Sequence, residues 1–418
     1  MLDINKIREH KEEVRTALLK RMDAAALNEA LTVIEELDDA RREILKKSEE
    51  LKAERNAASK TKPTPEIIEK MKAVGEQISQ IDEQLKDIEE RFKNAMSELP
   101  NLPADDVLPG GKENNKVIKT YGKQKKFSFA TKDHYDLAVA LDIIDYERAA
   151  KMSGSGFWIY KGAGAILEWA ILSYFIKFHQ GNGYIFMIPP FLLTEQSAYT
   201  SGHLPKFRDD LFWTQDKLCL NATSEMMLGN YHRDEILPEN ELPYKYAAYS
   251  ACFRREAGSY RKEERGMIRG HQFNKIEMFH YAKPGQSWDS FAELVGNAEK
   301  LVEGLGLHYQ SVLLAAGDAT SAMAKTVDVE VWIPSMEGYK EVSSISNAMD
   351  YQARRGNIRF RNSATGKNEF VHTLNASGLA TSRLIPAILE QFQNEDGSVN
   401  VPKALQPFCG FEKIEVKK

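Results

Sequence analysis

Two stretches near the N-terminus repeat apolar residues every three or four positions. The first runs from Leu27 to about Leu51, with Ser48 as a weak position. The second runs from Met71 to Met96, and the apolar residues between these ends are Val74, Ile78, Ile81, Leu85, Ile88 and Phe92. This heptad spacing predicts two α-helices that each bury one apolar seam.

The segment SKTKPTPE joins the two stretches. Pro63 and Pro65 stop a helix, and Thr64 can cap the next one. Two helices of opposite direction with a short turn form an antiparallel hairpin, and about 32 residues at roughly 1.5 Å each give an arm on the order of 50 Å long. A plain dimerisation coil is the alternative interpretation of such an arm, and the apolar pattern leaves both open.

A linker follows the hairpin, because LPNLPADDVLPGGKENNK is rich in proline and glycine. We therefore predict an N-terminal helical coiled-coil domain at residues 1–105 and a second domain at residues 106–418. The second domain mixes strand patterns (KLCLNATSEM, VDVEVWIP, KEVSSIS) with helical patterns at 289–305 and 379–393, without a regular βαβ rhythm. This arrangement predicts an α+β fold in which helices flank an antiparallel β-sheet.

The stretch from Tyr249 to Tyr281 is predicted to form two strands joined by a long charged loop. Alternation places three residues of the first strand on one face, namely Cys252, Arg254 and Glu256. One face of the second strand carries Phe273, Lys275, Glu277 and Phe279. Such a surface can hold a flat base, a phosphate and an ammonium group. A solvated hairpin face with scattered ion pairs is the alternative.

Composition narrows the class of protein. The chain has 418 residues, 42% of them hydrophobic, which is enough for two domains with buried cores. Its three cysteines, Cys219, Cys252 and Cys409, are far apart and form no CxxC pair, so we expect neither a disulfide framework nor a zinc site. The N-terminus has no signal-like apolar core, and no apolar run is long enough to span a membrane. We therefore expect a cytoplasmic protein with no membrane partner.

Charge is uneven along the arm. The formal net charge of the chain is −5, so contact with nucleic acid would depend on local patches. Residues 46–72 contain eight cations against five acids, and residues 55–65 contain Arg55, Lys60 and Lys62 with no acid. This basic tip predicts salt-dependent contact with phosphate groups. The chain has neither a GxxxxGK[ST] loop nor a GxGxxG turn after a strand, so any nucleotide would bind by another route.

Four segments together resemble a known family. FRREAGS followed by RGMIRGHQFNKIEMF is similar to the second signature motif of class II aminoacyl-tRNA synthetases, in the version found in seryl-tRNA synthetases. TSE at 223–225, KEVSSISNAMDYQARR at 340–355 and TLNASGLATSR at 373–383 resemble that family's other active-site segments, in the same order. The likeness extends from Met1 to about Gln406. It implies a tRNA-binding arm and a catalytic domain at 106–418.

The resemblance implies an ATP-dependent serine–tRNA ligase. Its substrates would be ATP, L-serine and tRNA(Ser), with tRNA(Sec) as a further candidate acceptor and Mg²⁺ as cofactor. Arg254 matches the arginine that holds the α-phosphate and the substrate carboxylate, and Arg383 matches the one that meets the γ-phosphate. Glu341 and Ser344 match the magnesium ligands. The other residues expected at ATP are Arg255, Glu256, Phe273, Val342 and Ser343, with Phe273 as the candidate to stack on adenine.

Two conditions follow for this site. Glu341 and Ser344 are three positions apart, which puts them on opposite faces of a regular strand, so they need a bulge or a strand end to converge. The serine pocket should be small and polar. Glu225 and Glu277 are assigned to the ammonium group, and Thr223 and Ser377 to the hydroxyl group or the pocket wall. Ser224, the middle residue of the TSE segment, is also expected to bind L-serine.

Some positions depart from the family pattern. The loop SYRKEERG, with Arg261, Lys262 and Arg265, is bulkier than the usual loop of small residues, which puts the contact with the tRNA end in doubt. Ala376 and Ser382 replace residues that are often glycine.

The resemblance also implies a homodimer. The segment that would help to build its interface is GYIFMIPPFLL, although the prolines of this segment could equally just end a strand. The alternatives are a specialised isoform or relative that charges a small amino acid onto another acceptor, and a non-catalytic coiled-coil protein. Relatives that charge carrier proteins lack the arm, whereas this chain has it. Retention of the motif residues together argues against loss of catalysis.

Overall fold

The computed structural model describes residues 1–60, 64–257 and 266–416. Lys62 and the loop residues Arg261, Lys262 and Arg265 lie outside these ranges. The chain divides into two compact units, Met1–Pro100 and Asn101–Lys418, whereas the sequence-based boundary lies at residues 105–106. The helices of the first unit are α1 (Ile4–Glu9), α2 (Lys11–Leu18), α3 (Ala24–Ala58) and α4 (Pro65–Glu98).

The two long helices α3 and α4 begin where their capping residues predict. Asp23 accepts hydrogen bonds from the backbone N–H groups of Ala25 and Ala26 at the start of α3. Thr64 accepts one from the N–H of Ile67, at 3.3 Å, and Pro65 occupies the first turn of α4. A cap satisfies donors that the helix itself leaves unpaired, and proline costs little in the first turn. Both predicted helices are confirmed.

The contacts between α3 and α4 show that the helices are antiparallel. Ser48 donates a hydrogen bond to Asp82 at 3.3 Å, and Lys70 forms an ion pair with Glu54 at 2.6 Å. Residue 48 of α3 contacts residue 82 of α4, and residue 54 contacts residue 70. The two helices therefore run in opposite directions. All of the apolar positions predicted along α4 are buried or half-buried, with Val74 and Ile78 each 5% exposed. The seam between the helices therefore follows the apolar repeat.

The second unit combines short helices with one large sheet. Its helices are α5 (His134–Ala140), α6 (Tyr146–Ser153), α7 (Ala163–Gly181), α8 (Glu195–Thr200), α9 (Glu225–Leu228), α10 (Ser287–Gly304), α11 (Tyr351–Gly356), α12 (Thr381–Gln391) and α13 (Gln406–Cys409). None of the helices within the described ranges is both long enough and apolar enough to cross a bilayer.

The strands follow in the same unit. They are β1 (Lys116–Tyr121), β2 (Ile144–Asp145), β3 (Ile159–Tyr160), β4 (Ile185–Met187), β5 (Leu192–Thr194), β6 (Leu218–Leu220), β7 (Ile236–Leu237), β8 (Tyr244–Phe253), β9 (Gln272–Ala282), β10 (Tyr309–Leu313), β11 (Lys325–Ile333), β12 (Gly338–Met349), β13 (Arg359–Arg361), β14 (Asn368–Phe370), β15 (His372–Ala380), β16 (Val399–Asn400) and β17 (Lys413–Ile414).

The main sheet has the strand order β1-β10-β11-β12-β15-β9-β8-β4. Neighbouring strands are antiparallel except at one edge, where β4 runs parallel to β8. The predicted α+β class with an antiparallel sheet and flanking helices is confirmed. Both boundaries of the helix expected at 379–393 differ: it begins at Thr381, because the buried Leu379 still belongs to β15, and it ends at Gln391.

The two faces of this sheet have different environments. Ile276 and Met278 of β9 lie in the hydrophobic core with side chains of α7, α10 and α12, and this side is called the core face. Lys275 and Glu277 alternate with them and therefore point to the opposite side, called the cavity face. In β15, Leu374 likewise lies in the core, whereas the next residue, Asn375, lines the cavity. Because side chains alternate between the faces, the same strands supply apolar residues to the core and polar residues to the cavity face.

A bulge interrupts the alternation in β12. Ser343 pairs with Val329 of β11, but the next pair joins Glu341 to Glu330, so Val342 has no opposite residue. An extra residue of this kind turns the following side chain to the other face. Glu341 and Ser344 consequently share the cavity face although they are three positions apart, and Val342 enters the core. Of the two options that the sequence left open, a bulge or a strand end, the structure contains the bulge.

Candidate active site

A cavity of about 480 Å³ opens on the cavity face of β9, β12 and β15. This size suits a small-molecule site. Eight of the residues predicted for serine, ATP or magnesium line it: Thr223, Glu225, Arg254, Glu256, Glu277, Glu341, Ser344 and Ser377. The chain thus brings together residues from segments that are more than 100 positions apart.

One end of the cavity is built around Lys275. Its ammonium group donates to Thr223 Oγ1 at 2.7 Å and to Ser377 Oγ at 3.3 Å, and it forms an ion pair with Glu277. Thr223 Oγ1 in turn donates to Glu277 Oε2 at 3.2 Å. Lys275 and Glu277 are only 4% and 2% exposed. A buried, mutually bonded set of this kind holds its side chains in fixed positions.

Glu225 adds a second carboxyl group at this end. Its Oε1 accepts a hydrogen bond from Gln352 Nε2 at 2.6 Å. Burial, and then the charge of Glu277, raise the pKa of Glu225 to about 7. Both effects disfavour the ionised form, whereas a cation placed beside the two carboxyl groups would favour it. This end of the cavity is therefore suited to an ammonium group.

Arginine residues mark another part of the cavity wall. The Arg254 guanidinium lies 5.3 Å from the centre of the Phe273 ring and donates from Nε to the Ala222 carbonyl oxygen at 3.4 Å. Arg269, which the sequence reasoning did not select, pairs with Glu256 at 3.1 Å. Guanidinium groups in this position are suited to phosphate and carboxylate oxygens.

The route by which Arg254 and Glu256 reach the cavity differs from the prediction. Strand β8 ends at Phe253, and Glu256 has a φ of +51°, so regular alternation does not continue through these residues. The Arg254 N–H donates to the His271 carbonyl at 3.0 Å, and the Arg255 N–H donates to the Asp210 carbonyl at 3.0 Å. These bonds fix the turn that directs the two side chains.

Glu341 and Ser344 offer oxygen ligands on the same wall. Arg383 Nη1 donates to the Glu341 carbonyl oxygen at 2.8 Å and lies 3.5 Å from its carboxylate. A carboxylate and a hydroxyl group that face one cavity fit Mg²⁺, which prefers oxygen donors and shares its sites with substrate phosphates. Within residues 1–60, 64–257 and 266–416, no three His, Cys, Asp or Glu side chains form a metal-binding group.

Some predicted residues lie away from the cavity wall. Ser224 Oγ is 2.7 Å from Ser250 Oγ, Val342 is in the core, and Ser343 donates to the Ser377 carbonyl. Arg255 is exposed and donates to the Asp209 carbonyl at 3.2 Å, and Phe273 is half-buried beside Arg254. Arg383 is not among the lining residues, but it donates a hydrogen bond to the carbonyl oxygen of Glu341, which is. In the arm, Arg55 and Lys60 are exposed.

Several wall residues were not assigned to serine, ATP or magnesium from the sequence. Lys275 is one of them, although the alternation of the strand already places it on the same face as Glu277. His203 lines the cavity with Nδ1 2.9 Å from Ser201 Oγ, and burial together with Arg254 and other cations lowers its pKa to about 3. Asn375 lines the cavity too, and its Oδ1 is buried with no hydrogen-bond donor in the described part of the chain. Nothing in the local sequence pattern distinguishes these last two.

The antiparallel sheet and this cavity define a class II aminoacyl-tRNA synthetase core. Residues 207–392 match the tRNA synthetase class II core domain (G, H, P, S and T), and residues 1–103 match the seryl-tRNA synthetase N-terminal domain. The chain belongs to the seryl-tRNA synthetase family.

Similar proteins extend over the whole length. The chain is 52% identical to serine–tRNA ligase 2 of Clostridium acetobutylicum, over 99% of this chain and 100% of that protein. It is 43% identical to serine–tRNA ligase of Symbiobacterium thermophilum, over 99% and 100% of the two chains. The crystal structure of seryl-tRNA synthetase from Pyrococcus horikoshii complexed with ATP has a TM-score of 0.93 at 33% identity, and each chain is covered completely.

Proposed function

We propose that the chain is a serine–tRNA ligase that activates L-serine with ATP and transfers the serine to the 3′ end of tRNA(Ser). The observation that carries the proposal is one cavity, in a chain of this family, that contains the buried carboxyl groups of Glu225 and Glu277 together with Arg254. Activation joins the serine carboxylate to the α-phosphate, and pyrophosphate leaves. Transfer then joins the activated carbonyl to a hydroxyl group of the tRNA.

The end around Lys275 is proposed to bind serine. Glu225 and Glu277 receive the ammonium group, since these two carboxyl groups share the single charge of Lys275. Thr223 and Ser377 bind the serine hydroxyl group or line its pocket. A substrate without the hydroxyl group would leave such buried polar groups unpaired, which can cost a factor of roughly 10⁴ in discrimination. Alanine and glycine should therefore be poor substrates.

The arginine residues are proposed to bind the phosphates. Arg254 holds the α-phosphate and the serine carboxylate, because a planar guanidinium can bond both through its N–H groups. Phe273, beside Arg254, is proposed to stack on adenine, and Arg383, held against Glu341, meets the γ-phosphate. Glu341 and Ser344 would hold Mg²⁺. When bound with ATP, that ion neutralises phosphate charge.

The arm is proposed to bind tRNA through its basic tip. Arg55 and Lys60 are exposed near the end of α3, where phosphate groups can reach them. Recognition of an RNA helix relies largely on its shape and backbone, so a few cations on a long helical hairpin are sufficient for contact.

A homodimer is the proposed assembly. Large apolar side chains are exposed on α7, on the edge strand β4 and directly after it, namely Trp169 (56% exposed), Ile185 (57%) and Ile188 (70%). Helix α7 packs against β4, which ends the main sheet. Exposed apolar groups of this size favour burial against a second copy. Light scattering after gel filtration should give twice the mass of the chain. The double variant Trp169→Asp with Ile188→Asp should give the mass of a single chain.

The proposed location is the cytoplasm. Cys219, Cys252 and Cys409 are buried free thiols. Free thiols are typical of proteins in a reducing compartment.

Amino-acid-dependent exchange between ATP and pyrophosphate tests the activation step. Exchange should appear with serine and Mg²⁺ and should be weak with alanine, glycine or threonine. Charging of a tRNA(Ser) transcript should follow under the same conditions. Exchange with another amino acid in place of serine, or none at all, would contradict the proposal.

A further inference from the structure

His271 lies directly before β9, opposite the first residue after β8. The regular pairs of the two strands end at Phe253 and Gln272, so the next pair along would join Arg254 to His271. In an antiparallel ladder, two residues at a hydrogen-bonded position exchange two backbone N–H···O bonds. One of these is formed here, because the Arg254 N–H donates to the His271 carbonyl oxygen at 3.0 Å.

The histidine side chain takes the place of the second backbone bond. The backbone N–H of His271 donates to the Gly156 carbonyl oxygen at 2.9 Å, and the ring Nδ1 lies 2.9 Å from the Arg254 carbonyl oxygen. A carbonyl oxygen only accepts, so Nδ1 carries a proton and donates it to Arg254. His271 therefore holds the peptide groups on both sides of the Arg254 α-carbon, although the ladder has ended.

The imidazole ring is itself held in place. Its centre lies 5.3 Å from that of the Phe157 ring, and the Phe212 ring packs edge-on at 6.2 Å. Gly156 has a φ of +80°, and a Cβ atom there would lie 2.6 Å from His271 Cδ2, so any other residue at this position would push against the ring. Packing of this kind keeps the Nδ1–H directed at one acceptor.

Arg254 is the residue whose position this arrangement fixes. It lines the cavity, and its guanidinium is placed by the Phe273 ring and the Ala222 carbonyl oxygen. His271 fixes the backbone from which this side chain extends. Regular strand geometry does not continue to Glu256, where φ is +51°. A displacement of about 1 Å at a group that meets the reacting atoms can cost roughly a hundredfold in rate.

We propose that His271 is a positioning residue for the activation step, whose Nδ1–H and carbonyl oxygen hold the Arg254 backbone so that the guanidinium meets the α-phosphate and the serine carboxylate. The inference rests on the proposed function, because it needs the role of Arg254 in activation. His271 itself is not part of the described cavity wall, so it acts through Arg254.

Three substitutions of His271 separate its hydrogen-bond donor from its bulk. Asparagine can place an N–H group near the position of Nδ1, leucine has the same branching without a donor, and phenylalanine keeps a ring without one. In serine-dependent ATP–pyrophosphate exchange, His271→Leu and His271→Phe should each lower kcat roughly 10- to 100-fold, whereas His271→Asn should stay within about threefold of the wild type. The KM values for ATP and serine should change less than about threefold, because charge on the α-phosphate develops in the transition state.

His308 provides a matched control outside the described cavity wall. It lies directly before β10, and its Nδ1 donates to the Tyr121 carbonyl oxygen at 2.6 Å. His308 is 6% exposed, whereas His271 is half-buried. His308→Leu should therefore lower the Tm at least as much as His271→Leu and leave kcat within about twofold of the wild type. Equal losses of kcat in the two leucine variants would mean that general destabilisation is the cause.

Calorimetry with a sulfamoyl analogue of seryl-adenylate gives a second readout, which does not depend on turnover. His271→Leu should weaken binding of the analogue roughly tenfold in the otherwise wild-type chain. In the Arg254→Ala background the same change should cost less than about twofold, since the residue that His271 positions is then absent. Losses that add in the double variant would overturn the inference.

The comparison of His271→Asn with the apolar variants decides the role of the donor. Equal kcat in His271→Asn and His271→Leu would also overturn the inference, and if His271→Leu does not fold, His271→Phe takes its place. The proposed function fails separately: a wild type without serine-dependent exchange contradicts it, and binding of the analogue then decides on His271. A wild type that does not bind the analogue contradicts both.

Discussion

Glu277 is a buried carboxyl group at the serine end of the cavity. It is 2% exposed, pairs with Lys275, and accepts a hydrogen bond from Thr223. Breaking a buried ion pair by removing one partner costs roughly 3 to 5 kcal/mol. We predict that Glu277→Ala abolishes serine-dependent exchange and that Glu277→Gln raises the serine KM at least about a hundredfold.

ATP binding provides the control for this prediction. Glu277 lies at the serine end, so the affinity of the variants for ATP, measured by calorimetry with Mg²⁺, should stay within a few fold of the wild type. A near-normal serine KM in Glu277→Gln would place the ammonium group elsewhere in the cavity.

Glu168 of α7 couples three elements through one buried carboxyl group. Its Oε1 accepts hydrogen bonds from Asn274 of β9 and from Thr381, the first residue of α12, each at 2.7 Å. Burial raises the pKa of Glu168 to about 7, and its Oε2 has no donor within the described ranges. The folded protein therefore binds this proton more tightly than the unfolded chain does. Stability from this group is present at low pH and is lost as pH rises towards 7.

Glu168→Gln should remove this pH dependence. Glutamine keeps the accepting oxygen and carries no charge, so we predict that the variant is more stable than the wild type at pH 8 by on the order of 3 kcal/mol. At pH 4.5 the two should be similar. Urea unfolding at both values measures the difference, with the exposed Glu147→Gln as control. Parallel pH curves for wild type and Glu168→Gln would rule out ionisation of Glu168 as the cause.

Among the elements, the hairpin of α3 and α4 separates its core from its surface most clearly. The apolar seam is buried between the helices, and the basic residues Arg55 and Lys60 are exposed near the tip. Each phosphate contact releases bound counterions and adds somewhat less than one unit to the salt dependence of binding. We predict that Arg55→Gln with Lys60→Gln weakens tRNA(Ser) binding and lowers the slope of log Kd against log salt by about 1 to 2.

A double variant with the same charge change provides the control for the tip. Lys86 and Lys93 are exposed on α4, nearer its C-terminal end and away from the tip. Lys86→Gln with Lys93→Gln should leave the slope of log Kd against log salt almost unchanged. Fluorescence anisotropy with labelled tRNA at several salt concentrations gives both slopes. An equal reduction by the two double variants would mean that the whole arm, and not its tip, attracts the tRNA.

On the scale of the whole molecule, the two units are proposed to divide the reaction. The residues proposed for serine and ATP all lie between Thr223 and Arg383, within the unit Asn101–Lys418. We predict that deleting Leu27 to Met96 and bridging the ends leaves exchange close to wild type. Charging of tRNA(Ser) should fall by several orders of magnitude, because the remote contact that orients the acceptor end is lost.

Both assays should be run on one preparation, after its fold and mass have been checked. Charging at the wild-type rate by the shortened protein would show that the arm does not position tRNA. Loss of exchange in a folded dimer would show that the arm also supports activation. Either result would contradict the proposed division.

Much of the fold could be predicted because its signals are local. The repeat from Met71 to Met96 predicts a helix with one apolar seam, and Thr64 and Pro65 predict where it begins. Period-2 alternation likewise predicts that Lys275 and Glu277 share a face of β9. The resemblance paired Glu341 with Ser344, and strand geometry then required a bulge or a strand end between them; the structure contains a bulge.

What the sequence by itself determined is therefore the type of each long element, the α+β class and, through motif resemblance, the family. Only the tertiary structure decided which side chains meet. It brought His203 into the cavity wall that Arg254 also lines, and it left Ser224 bonded to Ser250. The physical reason is that periodicity depends on neighbours within a few residues, whereas strand register, bulges and loop paths depend on packing between distant segments, and these set the geometry of the cavity.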